Sequence, residues 1–331
     1  MVRNFICPRV IGGLGNQLFV LMAAYALAKD ENAELVIDPR NYAASPIRKV
    51  NTYWDTFLRP LKPYIQYGKK PKVDSVVKEE IGFVYNRLIR KEKNRTCLKG
   101  YFQSYKYFDK YRRDIQSLFK LNNEIYTYLK GKYEWFVINN NNITAVINEI
   151  KERAKEVENE IKEEGNEVEN EIKEEKVENK ILRVAIHVRR GDYITKNHNV
   201  LPLNYYKKCL DSIHDKLMKE TNIIFAIFSD CCTYVETDLS PLIYSYKTDS
   251  NQIFNVITMK DEEDYIELHM LQYFDIYFIA NSTFSWWGAY LNRNPNVEVY
   301  IPYQWMCLNQ LCPPELVLPG WKLIHYLDEL T

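Results

Sequence analysis

The sequence predicts an α/β protein: two domains built on parallel sheets and facing a cleft, with a charged helical insertion between them. Three observations predict this. Short β-branched or aromatic runs recur in both halves of the 331-residue chain, separated by segments long enough for helices. A glycine-rich break, "GGLGNQ" at 12–17, divides strand-like from helix-like sequence near the start. A stretch from 139 to 180 differs in composition from both flanks. The expected division is 1–138, an N-terminal α/β domain; 139–180, a charged helical insertion or linker; and 181–331, a second α/β domain of Rossmann type.

Taken in order, "FICPRVI" reads as a strand, "GGLGNQ" as a polar loop, "LFVLMAAYALAKD" as a helix and "AELVID" as a second strand. The apolar part of that helix is only eleven residues, whereas a membrane span needs about 20, so a core helix is expected and no membrane span. From about 40 to 138 the chain is Tyr-rich and irregular. "KGYFQSYKYF" is its densest aromatic cluster, and helical periodicity resumes at "DKYRRDIQSLFKL".

The insertion repeats "NEIKE" from Asn148, Asn159 and Asn170, and Val146, Ile150, Val157, Ile161, Val168 and Ile172 form a thin apolar stripe. An eleven-residue period winds a right-handed coil if the stripe finds a partner. A stripe this narrow buries little area, so a solvated helix is expected, with self-association through 143–178 as the alternative. Beyond it the strands "ILRVAIHV" (181–188), "NIIFAIFSD" (222–230), "FDIYFIAN" (274–281) and "NVEVYIP" (296–302) alternate with the helical segments "NYYKKCLDSIHDKLMKE" and "EDYIELHMLQYF". That alternation is the pattern of a parallel sheet, whose ligands sit off the carboxyl ends of the strands.

Lys plus Arg equals Asp plus Glu at 44 each, so no net field draws the protein to nucleic acid or an anionic membrane. Seven cysteines form no regular framework, which reads as reduced thiols in a cytoplasmic setting.

The chemistry-bearing residues gather at the expected strand ends. In "HVRRGDY" (187–193), alternation puts His187 and Arg189 on one face and Arg190 on the other, so the arginines cannot share one task. In "IANSTFSWWGAYLN" (279–292) a strand gives way to a helix start bearing Ser282, Thr283, Phe284 and Ser285. Free N–H groups with hydroxyl caps suit an anion, and with a guanidinium opposite they suit a diphosphate. Either segment alone reads equally well as a surface ion pair or a helix cap. Glu267, on the helix before the second segment, offers a carboxylate matched to the paired donors of guanine, or is simply a surface Glu. "GGLGNQ" lacks the lysine and hydroxyl residue of a P-loop and fits G-x-G-x-x-G poorly; it reads as a tight loop approaching a ligand, with Asn16 reaching into the cleft. No D-x-D occurs, and neither Cys231-Cys232 nor Cys307 with Cys312 has zinc-site spacing, so no metal is expected.

With these residues in view, the chain resembles the alpha-1,2-fucosyltransferases of glycosyltransferase family eleven. The likeness rests on "GGLGNQLF…AAYALA", "GYFQSYKYF", "HVRRGDY" and "NSTFSWWGAYLN", and runs from about 10 to 325 outside the insertion. It implies a GT-B-like fold, a GDP-β-L-fucose donor, a sugar acceptor, inversion at the anomeric carbon and no metal or other cofactor. It implies roles too: Arg189 on the β-phosphate, His187 orienting nucleotide and loop, and Asp192 locking the arginine pair, these three forming the catalytic set. The donor-binding set is Asn16, Arg190, Asp230, Glu267, Ser282, Thr283, Phe284 and Ser285. Two positions depart from the family pattern: Cys231 stands where a second acid is usual, leaving Asp230 alone, and Glu267 where Asp is usual. The rival expectations are a fucosyltransferase of another linkage, a transferase of another GDP-sugar, and a non-catalytic GDP-sugar or glycan-binding protein.

Overall fold

The computed structural model describes residues 4–40, 53–90, 94–137, 181–195, 199–260, 262–306 and 310–327. The expected insertion at 139–180 and its self-association through 143–178 lie outside them.

Two parallel sheets organise the chain. The first has strands β1 (Phe5–Pro8), β2 (Glu34–Leu35), β3 (Ser75–Lys78) and β4 (Arg95–Lys99), in the order β2-β1-β4-β3. The second has β5 (Ile181–Val188), β6 (Asn222–Ser229), β7 (Ile253–Met259), β8 (Ile276–Phe278), β9 (Glu298–Pro302) and β10 (Lys322–Ile324), in the order β10-β9-β8-β5-β6-β7. Read from its β7 edge, this is the 3-2-1-4-5-6 order of a doubly wound sheet. The chain reverses direction across the sheet between β5 and β8, and a crevice opens there at the carboxyl ends. The first sheet has a similar reversal between β1 and β4.

The 40–138 region is less irregular than expected. It supplies β3 and β4, and β4 pairs with β1 through Phe5 to Pro8. "SVVK" and "RTCLK" are too short and too charged to announce a strand; pairing with an existing sheet makes them strands.

Helix α1 (Leu14–Asp30) starts inside the stretch read as loop, so only Gly12 and Gly13 remain outside it and Asn16 lies in its first turn. Nearly every face of α1 is buried, because it lies between its own sheet and helix α6 (Thr283–Leu291). Phe19 packs on Trp286 at 4.6 Å and Trp287 at 5.2 Å, and Phe108 stacks on Trp287 at 5.2 Å. A side chain such as Phe19, fully enclosed, contributes about 1.5–3 kcal/mol relative to exposure. One apolar cluster thus runs from the first sheet through α1 into α6. A second cluster fills the other face of the six-stranded sheet, taking Leu182, Val184, Ile186 and Val188 of β5, while Ala185 faces the first. The alternation expected of β5 is present. Among the described residues no helix is long and apolar enough to cross a membrane.

Candidate active site

Both reversals converge. α1 begins at the crevice of the first sheet and α6 at that of the second, and they touch at their N-terminal turns. A Cβ on Gly15 would stand 2.6 Å from the Thr283 carbonyl carbon and 2.7 Å from the Phe284 nitrogen, so the close approach that requires glycine is to protein backbone, not to a ligand as the sequence suggested. Gly12, at φ +77, turns the chain into the helix. Asn16 Oδ1 accepts from Thr283 Oγ1 at 2.9 Å and from Gln103 Nε2 at 2.8 Å, stitching the two halves together.

At the end of β5, Arg189 holds two carboxylates: its NH2 group meets Asp192 at 2.6 Å and its NH1 group meets Asp230 at 2.9 Å, with each of the three about a quarter exposed. Asp230 also accepts the Arg190 backbone N–H at 2.8 Å. The Arg190 guanidinium lies over the Tyr234 ring at 4.0 Å. Asp192 holds Arg189, while Asp230 bridges the Arg189 guanidinium and the Arg190 backbone. The lone acid left by Cys231 is the one that binds Arg189. Two guanidinium and two carboxylate groups leave this cluster without net charge, so what it could offer an anion is directed N–H groups, of which a doubly paired guanidinium keeps several.

Tyr193, unassigned from sequence, ties the cluster to the helix start. Its ring lies 5.6 Å below Arg189, and its hydroxyl donates to the Asn281 carbonyl at 2.9 Å. Its place inside the quoted heptad was the available signal. Tyr234 and Gln103 were likewise missed, because nothing local marks which of 26 tyrosines or which amide meets a crevice.

The helix start spends its hydroxyls on the fold. Ser282 caps α6 by accepting the Phe284 N–H at 3.3 Å. Thr283 is taken by Asn16, and buried Ser285 donates to the Ser282 carbonyl at 3.3 Å. Beyond these contacts the turn can offer an anion its remaining backbone N–H groups, which lack partners within a first helical turn, and the Ser282 hydroxyl proton, which the cap does not use. His187 is enclosed in β5, 5.8 Å from the Phe284 ring, and burial, with Arg189 adding to it, pushes its imidazole down to about 3. Its ring packs β5 against the start of α6.

Helix α5 (Asp264–Met270) carries Glu267. Neighbouring acids are occupied: Asp264 accepts from Tyr53, and Glu262 from Tyr133 at 2.6 Å, Tyr128 and Lys132. No hydrogen bond or ion pair joins the Glu267 carboxyl to a described residue. Burial first, then the charges of Asp264, Glu262 and Asp230, push it up to about 8. The charge of Asp230 reaches Glu267, so the Arg189 cluster and Glu267 are electrostatic neighbours. Among the described residues no group of three or more His, Cys, Asp or Glu is arranged to hold a metal ion. A cavity of about 360 Å³ lined by Tyr85, Arg87, Tyr107 and the second half of α1, from Ala23 to Asp30, lies elsewhere, about 10–21 Å along α1 from Asn16 by helical rise.

The family model described as Glycosyl transferase family 11 matches residues 108–324, well over half the chain and including every strand of the second sheet. The protein belongs to glycosyl transferase family 11. Two Escherichia coli relatives align over nearly the whole chain: the O-antigen biosynthesis glycosyltransferase WbnK, 24% identical over 94% of this chain and 97% of its own, and an alpha-1,2-colitosyltransferase, 24% identical over 95% and 98%. An Arabidopsis thaliana FUT1 mutant in complex with GDP superposes over 92% of this chain and 71% of that one, with a TM-score of 0.49 and 12% identity. This family 11 chain is a glycosyltransferase of the fucosyltransferase family.

Proposed function

We propose that this family 11 enzyme moves L-fucose from GDP-β-L-fucose to the 2-hydroxyl of a galactoside, with inversion, giving an alpha-1,2 linkage, and needs no metal. The observation that carries this reading is the approach of Arg189, through Tyr193, to the α6 start at the β5/β8 reversal. The acceptor oxygen attacks the anomeric carbon on the face opposite GDP. The bond to the β-phosphate oxygen breaks with its electron pair staying on GDP, and the acceptor proton leaves to solvent. Arg189, already aimed by Asp192 and Asp230, and the first N–H groups of α6 meet charge that develops on the departing diphosphate, which lowers the barrier more than it strengthens ground-state binding. Asp192 and Asp230 are both committed to the Arg189 guanidinium. Glu267 reads guanine through its ionised form.

The test is a screen of GDP-fucose and other GDP-sugars against a panel of galactosides and other glycans, with EDTA present, followed by linkage analysis. The expected product carries alpha-1,2-fucose. A second donor, colitose in place of fucose, is favoured by the relative named as an alpha-1,2-colitosyltransferase, and the same screen with a colitosyl donor separates the two. Donor binding with no acceptor-dependent GDP release would mark a non-catalytic binding protein instead.

A further inference from the structure

The loop after β4, "GYFQS" at 100–104, is held more firmly than its composition requires. The Glu79 carboxylate accepts the backbone N–H groups of Tyr101 at 2.6 Å and Phe102 at 3.0 Å. Phe102 is fully buried at φ +51, a left-handed conformation that a bulky side chain adopts only when its surroundings impose it. The consequence is the placement of the next residue, Gln103, whose Nε2 donates to Asn16 Oδ1.

Asn16 Oδ1 also receives Thr283, so this amide pair stands where the crevice of the first sheet meets the helix start of the second. Sugar transfer brings the attacking oxygen to about 3–3.5 Å from the anomeric carbon, so an acceptor lying on the first sheet must pass this junction. Two polar atoms there are unused. Asn16 Nδ2 and Gln103 Oε1 make no hydrogen bond to a described residue, and neither is among the buried atoms sealed from solvent. One is a donor and the other an acceptor, and they sit on adjacent amides. That arrangement matches neighbouring sugar hydroxyls, each of which can give one hydrogen bond and take another.

We infer that Asn16 and Gln103 position the acceptor sugar, Asn16 Nδ2 donating to one hydroxyl and Gln103 Oε1 accepting from its neighbour. The inference rests on the reading of this chain as a GDP-sugar transferase. Both residues act on the acceptor rather than the donor, and the Thr283 contact to Asn16 keeps the acceptor site in register with the helix start.

Two variants test it. Gln103→Leu keeps the side-chain volume and removes both polar atoms; Asn16→Asp keeps the oxygen that receives Gln103 and Thr283 but exchanges the free donor for an acceptor and adds a negative charge. With GDP-fucose and the best acceptor of the screen, each is expected to raise acceptor KM at least tenfold. For Gln103→Leu, donor KM and GDP affinity are expected to stay within about twofold of wild type. A raised donor KM with unchanged acceptor KM overturns the inference, as does a lowered melting temperature with all kinetic constants unchanged. Should Gln103→Leu fail to fold, Asn16→Asp decides alone, and an unchanged acceptor KM there overturns it. Absence of transfer by the wild type with every donor would instead overturn the reading of function.

Discussion

The loop after β5 and the turn after β8 leave adjacent strands of one sheet, and both are rich in polar side chains. They use them differently. After β5, Arg189 pairs with Asp192 and with Asp230 from the end of β6, all three still about a quarter exposed, with guanidinium N–H groups to spare. After β8, Ser282, Thr283 and Ser285 point their hydroxyls at the chain itself, at Phe284, Asn16 and Ser282. The first region is a charge cluster aimed outward, and the second is a scaffold that fixes a helix start. Polarity of sequence does not distinguish them; the partner of each polar atom does.

If that contrast holds, the largest single loss of activity comes from the first region. Arg189→Ala is expected to lower kcat about 1,000-fold or more, the scale of losing a preorganised donor at a developing anion, with the fold preserved in circular dichroism. Arg189→Lys should recover little, because a point charge cannot hold Asp192 and Asp230 while meeting phosphate. Turnover by the alanine variant within a few fold of wild type would remove Arg189 from the mechanism.

The scaffold is attacked most directly at Gly15. An added methyl would sit 2.6–2.7 Å from the Thr283 and Phe284 backbone, and neither helix can yield without moving the Trp286 and Trp287 core. Gly15→Ala is expected to cost about 1–3 kcal/mol by overpacking, read from urea unfolding, with loss of turnover in proportion to the displaced α6 start. Full stability in this variant would show that the two helix starts are not in contact.

These residues also show what was legible beforehand. Long continuous apolar strands such as β5 and β6 declared themselves, and so did the charges of "HVRRGDY", because buried parallel strands and clustered charge are local patterns. β3 and β4 did not, since a four- or five-residue strand exists only by pairing with a neighbour far along the chain. Gly15 was legible as a demand for close approach, but not its object, because Thr283 lies 268 positions away. Ser282 was legible as either cap or ligand residue, and only the Phe284 N–H contact decides. Gln103 sits inside the quoted segment "GYFQSYKYF", but nothing local gives it a task; its placement depends on Asn16 and on the strain at Phe102.

Between the two regions stands Glu267, and its protonation offers a sharper test of how the crevice takes a nucleotide. The carboxyl sits at about 8 because burial and the acids Asp264, Glu262 and Asp230 disfavour its charge, while Lys132 and Arg189 are already engaged by Glu262 and Asp230. Near neutral pH the free enzyme therefore holds it mostly protonated. Guanine presents two donors, which only the carboxylate can accept, so binding must release a proton. GDP affinity is then expected to rise about tenfold per pH unit from 6 towards 8 and level off above. Calorimetry in buffers of different ionisation enthalpy should count close to one proton released at pH 7. A flat profile, or one that persists in Glu267→Gln, would take Glu267 away from the base.

The smallest effect belongs to Ser282, and it separates scaffold from ligand site most cleanly. Its hydroxyl accepts one N–H of the α6 first turn, so Ser282→Ala should cost about 1 kcal/mol of stability, the ordinary value of an N-cap. Transfer should remain within about twofold of wild type, because the backbone N–H groups that would face the diphosphate do not depend on that oxygen once the helix is formed. Steady-state kinetics and thermal unfolding on the same preparation read both quantities. A hundredfold fall in kcat at unchanged melting temperature would mean that the hydroxyl leaves its cap to meet the phosphate, and the turn after β8 would then join Arg189 as a region whose side chains act on the leaving group.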